Sequence, residues 1–252
     1  MTKTTIIILA FYYGRQQEEL RGTHLDIFNV ASYFKDQDVI VFTDRYMPEF
    51  EVHSQSVPSE YRYFKPNIIK CGTFAEFKTS YSSADISINP RSCVFYYSGH
   101  ATSQQEYCFP TENIPSADVM NVLYSRLYTR CSLLMIQDCC NGPTHNMPFQ
   151  LSKQTGTFER RRHIGEEDDR RNILLFCSSS SDTESFSTKI RGSLFTYHFF
   201  TLIEESRCER LSGFAQSIDD NVYNFDDTVK QYVHVYSSFD RLGYMPDVLL
   251  RE

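Results

Sequence analysis

The sequence predicts an α/β fold, a mainly parallel six-stranded sheet covered by helices on both faces. Three observations predict it. Short apolar runs alternate along the chain with stretches of helical periodicity. Those runs are near-continuously apolar rather than alternating, which suits strands buried on both faces. The chain has 252 residues, 41% of them hydrophobic, enough to bury one sizeable core.

The elements follow in order. Thr5–Phe11 (TIIILAF) is a first strand, rich in β-branched residues. Leu25–Phe34 carries apolar residues at helical spacing. Val39–Asp44 (VIVFTD) is a second strand, and Asn67–Tyr81, entered after Pro66, is a helix. Ser92–Gly99 (SCVFYYSG) is a third strand. Ser116–Leu127 is a helix opened by a serine cap. Ser132–Asp138 (SLLMIQD) and Asn172–Ser180 (NILLFCSSS) are the fourth and fifth strands. Gly192–Glu205 is a helix and Gln231–Ser238 a sixth strand. A single domain over 1–252 is expected, with a large part at about 1–157, a charged loop over 158–171 and a small part at about 172–252.

Composition narrows the function. Net charge is −7 and no field of lysine or arginine points to nucleic acid. The opening run MTKTTIIILAFYYG is far too short to span a membrane and has no small-residue cleavage site. Eight cysteines without a secretory signal imply free thiols in a reducing, cytoplasmic setting. A monomer is expected. The first strand opens close to the start of the sequence, so no amino-terminal pro-domain is expected.

In parallel sheets ligands bind beyond the carboxyl ends of the strands. The third strand ends in YYSGHATS and the fourth in QDCCNGP. His100 and the pair Cys139/Cys140 therefore meet at one edge of the sheet. A cysteine attacks as its thiolate, and an imidazole on a neighbouring strand helps to form it. A lone cysteine or histidine is more often structural. Two of them, each in a turn after a strand and at the same edge, favour catalysis. Zinc is the competing reading of Cys139, Cys140 and His145, but no paired spacing supplies the remaining ligand. No metal is expected.

FYYSGHA and IQDCCNG resemble the histidine and cysteine motifs of type I metacaspases, within the caspase-like clan of cysteine peptidases. LRGTHLDIFNVASYF, VIVFTD and GSLFTYHFF extend the resemblance over nearly the whole chain. The histidine lies 40 residues before the second cysteine, against about 50 in caspases. The resemblance implies a caspase-like fold and an endopeptidase with a Cys-His dyad. Cys140 is then the nucleophile, Cys139 the small residue before it, and His100 the proton carrier. Backbone N–H groups of Cys140 and Gly99, with Ala101 just beyond, are the oxyanion donors it suggests. The family usually has glycine where Ala101 stands.

Asp26, Ser98 and Asp138 are placed by the resemblance around the pocket for the residue before the cut. Carboxylates there imply cleavage after arginine or lysine, so the partners are polypeptides with basic residues. The family's cysteine near Asp26 is Thr23 here. Calcium-activated members carry an acidic segment after the histidine. This chain offers only Glu106, Glu112 and Asp118, so no cofactor is expected and calcium activation is doubtful. The loop arginines Arg160, Arg161, Arg162, Arg170 and Arg171 are candidate self-cleavage sites. The alternative reading is a non-catalytic caspase-like module that binds or regulates a partner, which Ala101 and Thr23 favour.

Overall fold

The computed structural model describes residues 4–14, 19–45, 66–85, 90–162, 164, 172–179, 184–205, 210–225, 231–240, 246 and 249. The elements are β1 (Thr5–Ala10), α1 (Thr23–Tyr33), β2 (Asp38–Thr43), β3 (Asn67–Lys70), α2 (Phe74–Ser83), β4 (Ser92–Ser98), β5 (Glu106–Cys108), β6 (Asn113–Pro115), α3 (Ser116–Tyr124), β7 (Ser132–Asp138), β8 (Phe149–Leu151), β9 (Phe158–Arg160), β10 (Asn172–Cys177), β11 (Ser187–Thr188), β12 (Gly192–Ser193), α4 (Leu194–Glu205), α5 (Leu211–Phe225) and β13 (His234–Ser237).

The main sheet runs β3-β2-β1-β4-β7-β10-β13-β8-β9. Its centre is the six expected strands; three short ones extend its edges, so it has nine strands rather than six. From β3 to β10 every pairing is parallel, while β13, β8 and β9 add on antiparallel. Successive side chains of a strand face opposite ways. Ile6, Ile8, Tyr96, Ile136 and Phe176 therefore join one core with α1, α4 and α5. Ile7, Leu9, Tyr97, Met135 and Leu175 join the other with α2 and α3. No described helix is long and apolar enough to cross a membrane.

Two segments differ from expectation. Asn67–Tyr81 is not one helix. Its β-branched start pairs with β2 as an edge strand, and the helix begins only after Gly72. Thr73 caps it: its hydroxyl accepts from Glu76 N–H while the Glu76 carboxylate accepts from Thr73 N–H. The charged loop also starts later than expected. Phe158–Arg160 pairs antiparallel with β8, and Arg161 N–H donates to Pro148 O at 2.8 Å. The Arg161 guanidinium donates to Met147 O and lies over the Tyr236 ring. Arg170 and Arg171 lie outside the described residues. A further helix, α5, went unread in the sequence. Its buried residues Leu211, Phe214, Ala215, Ile218 and Val222 have helical spacing, but Gly213 and a polar outer face dilute the signal.

Candidate active site

The register of the sheet builds the site. Ala10 pairs with Ser98, and Ser98 with Asp138, so three strands end level with one another. Beyond that edge opens a cleft of about 560 Å³, lined among others by Asp26, Ser98, His100, Asp138, Cys140 and Ser185. Sequence-predicted residues from α1, β4, β7 and the turns after the two strands thus share one cavity.

The two cysteines part ways immediately after β7. Cys139 is 2% exposed and joins the core. Ser178 Oγ accepts from its N–H, and the hydroxyls of Ser178 and Ser179 donate to its carbonyl. Burial pushes its thiol well above the ordinary range. Cys140 is only half-buried, where the chain turns through Asn141 at φ 53°. Its thiol is also raised by burial, but Ser185 N–H donates to Sγ at 3.3 Å and opposes that shift. Cys140 is therefore the thiol that combines access with a donor able to stabilise negative sulfur.

His100 follows β4 through Gly99. A Cβ at Gly99 would collide with the hydroxyls of Tyr13 and Tyr97, so only glycine fits. Gly99 N–H donates to Asp138 O at 3.2 Å. That bond corrects the expected oxyanion donors, because the sheet already uses this N–H. Ala101 stands opposite Tyr107 in an isolated bridge. The two hydrogen bonds there belong to His100 O and Thr102 N, which leaves the Ala101 N–H outside the ladder.

The acids lie deeper. Asp26, in the first turn of α1, is 2% exposed, and Asp138 is 5% exposed. Asp26 accepts from Ser193 N–H at 2.7 Å and from Ser98 Oγ at 3.2 Å. Asp138 accepts from Ser185 Oγ at 2.7 Å and from Thr196 Oγ1. Burial raises the pKa of both carboxyls, and the charge of Asp138 raises Asp26 further. Gly192, at φ +75°, stands so close to Asp26 that a Cβ there would strike the carboxylate. The β11–β12 hairpin thereby reaches the acid with its backbone.

Sequence reasoning missed Ser185, Ser193, Thr196 and Gln231. Gln231 is 3% exposed; its carbonyl accepts from Phe186 N–H at 3.2 Å and its amide donates to Ser185 Oγ at 3.4 Å. It ties the segment at Ser185 and Phe186 to the chain just before β13. Of the acids after the histidine, Glu112 accepts from Phe74 N–H at the start of α2, and Glu106 accepts from the Thr102 hydroxyl. His145, once considered with zinc, lies within hydrogen-bond distance of Tyr107 and Gln137 through Nε2. Among the described residues no group of three or more His, Cys, Asp or Glu side chains is arranged to hold a metal ion.

A half-buried thiol and an imidazole sharing a cleft at the carboxyl edge of a parallel sheet define the class of nucleophilic-cysteine α/β proteins. The caspase-domain family model matches residues 2–242, and the chain belongs to that family of cysteine peptidases. A search of curated proteins gave no match.

Proposed function

We propose that the protein is a metacaspase-type cysteine endopeptidase cutting after arginine or lysine. The observation that carries this reading is the pair of buried carboxylates, Asp26 and Asp138, in the same cleft as Cys140 and His100. Acids with raised pKa values gain most from a cation that enters between them. Arginine fits that demand, since its planar fork can bond two oxygens at once.

In this scheme the basic side chain docks on the acids and brings the following carbonyl to the Cys140 sulfur. His100 takes the thiol proton as the S–C bond forms. The oxyanion accepts from the N–H groups of Cys140 and Ala101. As the C–N bond breaks, His100 returns the proton to the leaving amine. Water then attacks the thioester, with His100 as base, and frees the new carboxyl end. The purified protein is tested on matched fluorogenic peptides ending in arginine or aspartate, with and without calcium. Arginyl hydrolysis with little response to calcium is expected. Preferential aspartyl hydrolysis refutes the specificity, and no turnover at all returns the chain to a binding module.

The same pocket accepts arginines of the chain itself. Arg160 sits in β9 and Arg161 is held at backbone and side chain, whereas Arg162 is exposed past the strand. Slow self-nicking is therefore expected at Arg162 or later in the charged segment, and not after Arg160 or Arg161. Mass spectrometry of the wild type beside Cys140→Ala checks it: cuts at Arg160 in the wild type, or identical cuts in both proteins, would exclude this pattern.

A further inference from the structure

We propose that Tyr13, three residues after β1, is a positioning residue for His100, assisted by Tyr97 of β4. The proposal rests on the peptidase reading for its substrate but not for its geometry. Tyr13 Oη accepts from His100 N–H at 2.6 Å and donates to Cys108 O at 2.8 Å. Tyr97 Oη donates to His100 O at 2.6 Å. One hydroxyl thus holds each polar group of the His100 backbone. The two hydroxyls lie 3.2 Å apart, and both are buried. The Tyr13 ring also lies against the imidazole, with centroids 4.5 Å apart. Backbone and ring of His100 are held by the same side chain.

The local backbone is set up for this contact. Tyr13 adopts φ 67°, a left-handed conformation rare for a bulky residue. Asp44, after β2, secures it: its two carboxylate oxygens accept from Tyr12 N–H at 2.8 Å and Tyr13 N–H at 2.9 Å. Strain of this kind, fixed by its surroundings, marks a position where side-chain direction matters. Gly99 completes the arrangement, because any side chain there would displace both tyrosine hydroxyls. The geometry thus builds a frame that holds the backbone of His100 and one face of its ring. Such a group acts on the rate of the bond-making step and not on the docking of the basic side chain.

Two readouts test it on the full chain. The first is arginyl-peptide turnover; the second is alkylation of Cys140 by iodoacetamide, in which sulfur displaces iodide and the thiol proton leaves through His100. His100→Ala and Cys140→Ala set the floor of the alkylation assay. Tyr13→Phe keeps the ring and loses the hydroxyl. It is expected to lower kcat about 10- to 100-fold with KM within about twofold, and to slow alkylation by about tenfold. Tyr97→Phe, which leaves the Tyr13 hydroxyl its bonds to His100 N–H and Cys108 O, should do the same more weakly. Tyr13→Phe and Tyr97→Phe that both match the wild type in kcat and alkylation overturn the proposal. So does a loss in either variant that tracks KM or the folded fraction alone. A wild type that alkylates in a His100-dependent way but cleaves no arginyl peptide removes the peptidase reading, and the alkylation comparison still decides the role of Tyr13.

Discussion

The floor of the cleft and its rim hold their reactive groups differently. At the floor, Asp26 and Asp138 are almost wholly buried and each accepts two hydrogen bonds from protein donors. At the rim, Cys140 is half-buried and its sulfur lies against the backbone of Ser185. The floor is electrostatically costly, since burial and mutual proximity disfavour charging both carboxyls. The rim is more accessible than the floor. In the proposed scheme the floor would set selectivity and the rim would carry the bond-making step.

The largest expected effect breaks the rim. Cys140→Ala should lower arginyl-peptide turnover by roughly 10³-fold or more, because no other group in the scheme can form the thioester. Cys139→Ala should retain much of the activity, since that thiol is core packing beside Ser178 and Ser179. Steady-state kinetics of the two variants decide between them; the reverse ranking would move the nucleophile to Cys139.

Breaking the floor should cost less and show a different signature. Asp26→Asn or Asp138→Asn keeps the shape and removes a charge. Each is expected to cost about 1.5–3 kcal/mol of transition-state binding for a basic residue, roughly 10- to 150-fold in kcat/KM. Cys140 alkylation should remain near the wild-type rate, because the thiol stays in place. Equal losses in alkylation and turnover would show that the acids serve the cysteine turn rather than the substrate. Ser98→Ala, which removes one donor from Asp26, should lower kcat/KM only severalfold.

The rim was more legible in the sequence than the floor's supports, for a physical reason. His100 and Cys140 each follow a strongly apolar strand within a few residues, so local pattern alone brings them to one edge. Asp26 and Asp138 were accessible through the resemblance. Their donors Ser185, Ser193 and Thr196 are small polar residues far along the chain, and nothing local distinguishes them from surface serines and threonines. Only the packing of the β11–β12 hairpin and α4 brings them under the acids. Gln231 is hidden in the same way, its role arising from a contact 45 residues away in sequence. The Gly99 N–H was misjudged because its sheet bond to Asp138 O depends on strand register, which the two motifs do not reveal. Asn67–Tyr81 was misread because the Ile68-Ile69 start and the Thr73 cap were merged into one helical period.

The smallest expected effect sharpens the comparison through pH. Asp26 has a folded pKa above its unfolded value, mainly from burial and then from the charge of Asp138. Between the unfolded and folded values the native protein binds more protons than the unfolded chain. Stability contributed by this group therefore falls as pH rises through that window and is gained on mild acidification. Function runs the other way, because a protonated Asp26 cannot pair with a guanidinium. Lowering the pH through that window should thus raise the melting temperature slightly while kcat/KM for the arginyl peptide declines. Asp26→Asn separates the two trends. It should flatten this part of the stability profile and be slightly more stable than the wild type above that window, where the wild type buries a charge against Asp138. Thermal melts and arginyl kinetics over the same pH series check both. A wild type whose stability rises with pH across the neutral range, with Asp26→Asn less stable throughout, would mean that Ser98 and Ser193 more than offset the burial of the charge, and the floor would then be a stabilising feature rather than a cost held for selectivity.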